Sequence, residues 1–254
     1  MRAAATGRCV RLATVVAGVA VFLFAMTGAA SAQDISINLG QGGAGLTERV
    51  LQLIALLTVL SLAPSILVMV TSFTRIVVVL SLLRTALGTA TAPPNSVLIS
   101  LALFLTGFVM APAFERAYDT GVRPLITNQI STEQAFGRAA EPFQTFMLKN
   151  VREKDLQLFM DLSRDPRPAR PEDVSLRVLV PAFMISELKR AFEIGFLLFL
   201  PFLIIDLVVA SVLMSMGMMM LPPVVVSLPF KLIFFVLVDG WTLVAGSLVQ
   251  SYGT

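Results

Sequence analysis

Four long apolar regions run through this 254-residue chain, and they limit the folds that it can adopt. They cover residues 46–70, 76–113, 194–214 and 224–249, and the second is interrupted by Gly88 and by the pair Pro93-Pro94. About 20 apolar residues span the hydrocarbon of a bilayer, and only 14% of this chain is charged, which is typical of membrane proteins. No strand-like alternation exceeds a few residues, so the sequence predicts an all-α membrane protein built from helical hairpins.

Charges and prolines interrupt these apolar regions. Asp206 lies in the third region, and Lys231 and Asp239 lie in the fourth. A charge at the centre of a membrane helix costs roughly 2.5–3.5 kcal/mol on insertion scales. Further backbone donors are lost at Pro64, Pro201 and Pro229. We therefore expect these helices to bury their polar groups against other helices, including helices of other chains.

The first 32 residues have the form of a secretory signal peptide. Three arginines precede an apolar core at residues 12–26, and Ala-Ser-Ala at 30–32 predicts cleavage between Ala32 and Gln33. An uncleaved membrane span is the alternative, although a core of roughly 15 residues is short for one. Cleavage would place Gln33 outside the cytoplasm of a bacterium and would remove Cys9, the only cysteine.

The overall charge does not predict a nucleic-acid partner. The chain has 19 basic and 16 acidic residues, but three basic residues and no acidic ones lie in the leader. The chain that follows is formally neutral. It contains no histidine, so the commonest general base and metal ligand are absent from the sequence. We expect no catalytic site, metal or cofactor.

A polar stretch at residues 114–190, with 12 basic and 11 acidic residues, separates the apolar regions into pairs. Four crossings that begin outside place this stretch outside, since loops longer than about 60 residues translocate largely regardless of charge. Arg75 and Arg84 would then lie in a short inner loop. The stretch is predicted to be mainly helical, with Ser131 and Gln134 in a capping box.

A second helix of the polar stretch is predicted to begin near Pro181, after a proline- and charge-rich break at residues 163–173. On this helix Lys189 can pair with Glu193, and Glu187 can pair with Arg190. The predicted organisation is a signal peptide at 1–32, a glycine-rich linker at 33–45, a first hairpin region at 46–113, the extracytoplasmic segment at 114–190 and a second hairpin at 191–254.

One glycine motif has the wrong context for its best-known function. Residues 40–45 read GQGGAG, which matches the G-x-G-x-x-G pattern of dinucleotide-binding proteins. A membrane-length apolar run follows it, and the acidic residue expected roughly 20 positions later is missing. A flexible linker is the better interpretation.

A methionine-rich turn connects the third and fourth apolar regions. Its four methionines are Met216, Met218, Met219 and Met220. Gly217 loosens the preceding helix, and Pro222 and Pro223 prevent a continuous helix across the turn. Methionine is flexible and polarizable, so in a symmetric ring these tips could form a soft apolar collar. Irregular core filling or lipid contact is the simpler alternative.

Several stretches closely resemble the FliP family of flagellar biosynthetic proteins, at the core of the type III export gate. They include SFTRIVVVLSLLRTALGT at 72–89, APPN at 92–95, LALFLTGFVMAP at 101–112, a block at 181–223 that ends in SMGMMMLPP, and LPFKLIFFVLVDGWTLVAGSLVQS at 228–251. The resemblance extends over residues 46–251. It implies an inner-membrane protein of the flagellar basal body that forms a pentameric ring with FliR-like and FliQ-like subunits.

The resemblance also implies a function and partners. The ring would conduct unfolded flagellar subunits, driven by an ATPase and by FlhA-like and FlhB-like components, and the family's methionine gasket would correspond to Met216 and to Met218, Met219 and Met220. Three alternatives are the equivalent gate of a virulence secretion system, a small-solute transporter or channel, and a scaffold without a pore. A transporter would be expected to show internal repeats and a polar midplane site, and the sequence shows neither.

Four charges are candidates for contacts between subunits: Lys189, Asp206, Lys231 and Asp239. Acids inside membrane helices can also form proton paths. For Asp206 and Asp239, a buried ion pair or a helix cap is the simpler interpretation, because no second titratable relay lies beside either.

Overall fold

The computed structural model describes residues 43–89, 91–163, 170, 173–218 and 220–253. Every regular element in these ranges is helical, which confirms the predicted all-α fold. The helices are α1 Gly43–Val70, α2 Phe73–Leu87, α3 Asn95–Ala117, α4 Arg123–Ile126, α5 Thr132–Asn150, α6 Glu153–Ser163, α7 Leu176–Ser215, α8 Pro223–Leu237 and α9 Gly240–Gln250. A π-helical turn, Tyr118–Val122, joins α3 to α4.

Some sequence predictions concern residues outside the described ranges. These are the signal peptide with its cleavage position at Ala32 and Gln33, most of the glycine-rich linker, most of the break at 163–173, and Met219. The chain divides into two compact units, Met1–Leu57 and Thr58–Thr254. The described part of the first unit is the beginning of α1, and the second unit holds all the other helices.

Helix α2 forms the centre of the larger hydrophobic core. Ile76, Val79 and Leu83 have no measurable exposure, and buried residues of α3, α7, α8 and α9 pack around them. Gly195 lets α7 approach α2 closely, because a Cβ atom at this position would lie 2.3 Å from Cδ1 of Leu82. The apolar face of α2 is therefore covered by its own chain.

A second core lies where α5 and α6 pack against the beginning of α7. Met147 of α5 packs with Val178, Leu179 and Phe183 of α7, and residues of α6 cover this cluster. The amide N–H of Gln134 donates to the hydroxyl of Ser131 at 3.3 Å, which confirms the predicted N-cap of α5. The polar stretch thus contains helices with a small core of their own.

Helix α7 begins earlier than the sequence predicted. Its first residue is Leu176, capped by the hydroxyl of Ser175, and Pro181 lies inside the helix. Val178 and Leu179, which precede Pro181 in the helix, are buried. Their burial offsets the loss of the one backbone hydrogen bond that the proline removes. The helix also continues without interruption through Arg190, where the predicted polar segment ended.

The predicted inner loop around Arg75 and Arg84 was wrong, because both residues lie in α2. Only two residues separate α1 from α2, so Arg75 is already helical and is buried. Arg84 lies in the last turn, where its guanidinium donates to Oδ1 of Asn95 at 2.5 Å. The predicted break after α2 is confirmed, since Gly88 adopts a positive φ of 77°.

Three described helices are long and apolar enough to cross a membrane, by length and composition: Leu53–Val70, Asn95–Ile126 and Leu176–Ser215. A fourth crossing is available if α8 and α9, which meet at a bend of 63°, form one broken span. Helix α7 has 40 residues and is therefore about 60 Å long, twice the thickness of the hydrocarbon layer. Its first half packs in the second core and its later half in the first.

Candidate functional site

The methionine-rich turn begins with a complete Schellman motif. The N–H of Met218 donates to the carbonyl of Leu213 at 3.0 Å, and the N–H of Gly217 donates to that of Met214 at 3.1 Å. This motif requires a left-handed residue, and Gly217 has a φ of 74°. Helix α8 then starts at Pro223, with Pro222 as its N-cap. The two helices are thus separated by a turn between Ser215 and Pro223.

The described methionines of the turn point away from the core of their own chain. Met216 is 66% exposed, Met218 is 40% exposed and Met220 is 98% exposed. Irregular filling of the chain's own core therefore does not explain Met220. Exposed apolar side chains of this size commonly mark a contact surface. Here they can contact lipid, other subunits or a passing polypeptide.

Behind the turn, an ion pair joins α7 to α8. The ammonium of Lys231 lies 2.6 Å from Oδ2 of Asp206 and also donates to the carbonyl of Ala86 at 3.2 Å. The hydroxyl of Ser227, one helical turn before Lys231, donates to the other carboxylate oxygen. Both charges are thus satisfied inside one chain, which offsets the cost of burying them. Because the Ala86 carbonyl belongs to α2, the cluster also ties the hairpin to α2.

The other two predicted contact charges lie on the surface of the chain. Lys189 and Glu193 are exposed and 3.9 Å apart, the predicted i, i+4 pair. Asp239 is exposed at the bend between α8 and α9, with a positive φ of 51°. Its side chain makes no capping hydrogen bond to α9. A role between subunits stays a prediction for all four charges, and Asp206 and Lys231 already have partners within the chain.

The sequence analysis missed a second polar cluster, formed by Arg75, Glu187 and Tyr252. The guanidinium of Arg75 donates to Glu187 through Nε at 2.9 Å and through Nη2. Nη1 donates to the hydroxyl of Ser251 at 3.0 Å, and the guanidinium carbon lies 3.8 Å from the centre of the Tyr252 ring. Glu187 was expected to pair with Arg190, but its salt bridge is with Arg75 of α2.

Burial explains the chemistry of this second cluster. Arg75 and Glu187 have side-chain exposures of 1% and 0%, and each offsets the cost of burying the other's charge. The Tyr252 hydroxyl donates to Glu187. Burial, followed by the negative charge of Glu187, raises the pKa of Tyr252 well above its ordinary value of 10. The cluster holds the end of the chain against α2 and α7.

One signal in the sequence could have pointed to this cluster. Arg75 precedes an apolar run that continues through Leu83, and a charge in such a helix requires a partner. The partner lies 112 residues away in the sequence, so spacing alone does not identify it. Among the described residues, no group of acidic, histidine or cysteine side chains could hold a metal ion.

These features define a class: an all-helical membrane protein with internally paired charges and an exposed methionine turn at the tip of a helical hairpin. The sequence model of the FliP family matches residues 56–248. The chain belongs to the FliP family.

Curated relatives are similar over most of their length. The flagellar biosynthetic protein FliP of Caulobacter vibrioides is 68% identical over 89% of this chain and 85% of its own. The protein of the same name from Agrobacterium fabrum is 53% identical over 91% of this chain and 96% of its own. The one from Bacillus subtilis is 58% identical over 79% and 91%.

Proposed function

We propose that this chain is a core subunit of the flagellar type III protein export gate. Its membership of the FliP family, and relatives that carry the name flagellar biosynthetic protein, support this proposal. These three relatives are matched over 85%, 96% and 91% of their own length, so the proposal extends to their function as a whole. We place the protein in the bacterial inner membrane, within the flagellar basal body. Its three apolar helices and the bent pair α8 and α9 suit a membrane location.

The exposed methionine turn is the observation that supports a conduit. Copies of the chain would form a ring, a pentamer by the family resemblance, together with FliQ-like and FliR-like subunits. In such a ring the tips between α7 and α8 would converge on the axis. Met220, which is almost fully exposed, would then contact its symmetry mates or the exported chain.

The proposed mechanism is physical rather than covalent. Methionine side chains have three rotatable bonds. A gasket of them can therefore close the empty conduit at rest and then deform around an unfolded chain during transport. Contacts of this kind are weak and do not depend on sequence, which suits a conduit for many different flagellar subunits. Partner components, an ATPase and FlhA-like and FlhB-like proteins, would drive transport.

The first test is a clean deletion of the gene in its own bacterium. We expect hook and filament proteins to disappear from the medium while their synthesis in the cells continues. The intact gene should restore secretion. A virulence gate or a small-solute transporter would leave flagellar secretion unchanged in the deletion strain, and that result would contradict the proposal.

A further inference from the structure

A small pocket lies between α3, α5 and the C-terminal turn. It has a volume of about 190 Å³. Its lining includes Pro112, Arg116, Pro142, Lys149, Asn150 and Tyr252. The pocket lies where the apolar part of α3 gives way to Glu115 and Arg116, the pattern expected of a helix that reaches a membrane surface.

The polar side of this pocket is cationic. Arg116 and Lys149 are both exposed, and within the described residues neither side chain forms an ion pair. No acidic residue lines the pocket. Glu115 and Glu141, which precede Arg116 and Pro142 in the sequence, are exposed outside the pocket walls and form no ion pair with either cation among the described residues, and Asp119 of the π-helical turn pairs with Arg123 at 3.9 Å. Two cations in one concave site, with no carboxylate among its walls, favour an anionic ligand.

The apolar side of the pocket continues along α3. Phe104, Phe108, Pro112 and Arg116 follow one another at intervals of four residues and therefore lie in one row on the helix. The two phenylalanines are 83% and 67% exposed. From Phe104 to Arg116 the row is about 18 Å long, close to one leaflet of a bilayer whose hydrocarbon is roughly 30 Å thick.

We propose that this pocket binds an anionic phospholipid, with the phosphate between Arg116 and Lys149 and the acyl chains along Phe108 and Phe104. The guanidinium can donate two parallel hydrogen bonds to a phosphate, and the ammonium supplies a second positive charge. A carboxylate from a second copy of the chain would also satisfy the cations, and the oligomeric state of the variants distinguishes this occupant from the lipid. The lipid accounts for both parts of the site.

The test uses the full chain purified in detergent, with native mass spectrometry as the readout. Phosphatidylglycerol should bind more tightly than zwitterionic phosphatidylcholine. The double variant Arg116→Gln, Lys149→Gln should bind phosphatidylglycerol about 10- to 30-fold more weakly, the effect of losing two basic side chains near a lipid surface. The matched control is Arg138→Gln, Lys154→Gln, which removes two exposed cations of α5 and α6 outside the pocket and should change binding less than twofold.

Further measurements distinguish the lipid from other anions. Phe104→Ser, Phe108→Ser should weaken phosphatidylglycerol binding, and millimolar inorganic phosphate should not displace the lipid. Displacement by phosphate, with no effect of the phenylalanine substitutions, would show a site for a free anion and overturn the proposal. Retained lipid binding in the Arg116 and Lys149 variant, with dissociation of its oligomers, would assign the cations to a second copy and would also overturn it. Unchanged melting temperatures establish that the variants are folded.

Discussion

Gly217 and the methionines around it show how single residues determine the shape of the candidate pore tip. A left-handed residue is needed at the end of α7, and glycine adopts this conformation without steric cost. The prolines that follow prevent the helix from continuing. Because these signals are local, the break was predictable from the sequence. The exposure of Met220 was not, since exposure depends on how the whole hairpin packs.

The gasket proposal predicts ion leakage when the methionines are removed. We expect Met218→Ala, Met219→Ala and Met220→Ala, combined, to raise ion conductance across membranes that contain the assembled gate, because alanine leaves gaps that methionine fills. Conductance in planar bilayers or ion flux in cells measures this effect. Met69→Ala, which truncates an exposed methionine of α1, should have no such effect. An assembled variant that remains ion-tight would contradict the gasket role.

The ion pair between Asp206 and Lys231 predicts a large loss of stability when one partner is removed. Lys231→Met leaves the partly buried carboxylate of Asp206 without its cation, and we expect a loss of about 3 kcal/mol. Adding Asp206→Leu should restore much of this loss, because the double variant buries no unpaired charge. Thermal unfolding in detergent measures both changes.

Lys189→Met provides the matched control for that ion pair. It breaks the exposed pair with Glu193, which is worth at most about 1 kcal/mol. Equal effects of Lys231→Met and Lys189→Met would show that the intrachain pair contributes little. Normal stability of the purified Lys231→Met chain, together with failed ring assembly, would instead favour a contact between subunits.

The shifted pKa of Tyr252 predicts that stability falls with pH above 10. In the unfolded chain the phenol loses its proton near pH 10, whereas in the folded chain it keeps the proton. Rising pH above 10 therefore stabilises the unfolded chain alone, and the free energy of unfolding decreases. Near pH 11 the loss should reach about 1.4 kcal/mol. Melting temperatures between pH 8 and 11 should fall more steeply for the natural chain than for Tyr252→Phe.

Tyr118 is the other tyrosine of the chain, and it is exposed. Tyr118→Phe should therefore retain the steep dependence on pH above 10. If Tyr252→Phe showed the same dependence as the natural chain, the phenol would not be the responsible group.

At the scale of elements, helices were easier to predict than their ends and their partners. The apolar regions and the cap at Ser131 rest on local patterns, and both predictions were confirmed. The start of α7 was misplaced because burial of Val178 and Leu179 overrides the local effect of Pro181. Arg75 was assigned to a loop because its partner, Glu187, lies on a helix distant in the sequence. Pairings of this kind arise from tertiary packing and have no local signature.

The close contact of α2 and α7 predicts that Gly195 does not tolerate a larger side chain. In Gly195→Ala the new methyl group would clash with the side chain of Leu82, and we expect a loss of about 1–3 kcal/mol. Gly107→Ala in α3 meets nothing within 4 Å and should be neutral or stabilising by up to about 1 kcal/mol. Thermal unfolding compares the two. Recovery of stability on adding Leu82→Ala would identify the clash as the cause, and equal melting temperatures for both glycine variants would contradict it.

For the whole molecule, the exposed apolar surface indicates that a single chain does not bury all of its apolar side chains and needs neighbours to cover them. A groove between α7 and α8, with a volume of about 540 Å³, is lined by apolar residues alone, among them Ile204, Val212 and Phe230. Lipid or neighbouring subunits can cover such a surface, and the exposed methionine turn lies beside it. The sequence could predict that the helices need neighbours, whereas the number and arrangement of those neighbours depend on surfaces that only folding creates.

The ring proposal therefore predicts a stable homo-oligomer. The full chain, extracted in mild detergent, should have a protein mass several times the 27.4 kDa of the complete sequence, or of the shorter chain if the leader is removed. Light scattering combined with refractive index separates protein mass from detergent. A strictly monomeric protein that still supports export in cells would contradict a ring formed by this chain.

The unbroken course of α7 has a mechanical consequence. Because the helix continues over about 60 Å through Pro181 and Pro201, a tilt of its later half about the close contact at Gly195 acts as a lever. Residue 215 lies 20 positions beyond that contact, so a tilt of about 5° would move the tip by roughly 2.6 Å. In the proposed ring, a small displacement of the helices packed on the first half of α7 would change the width of the opening formed by the tips.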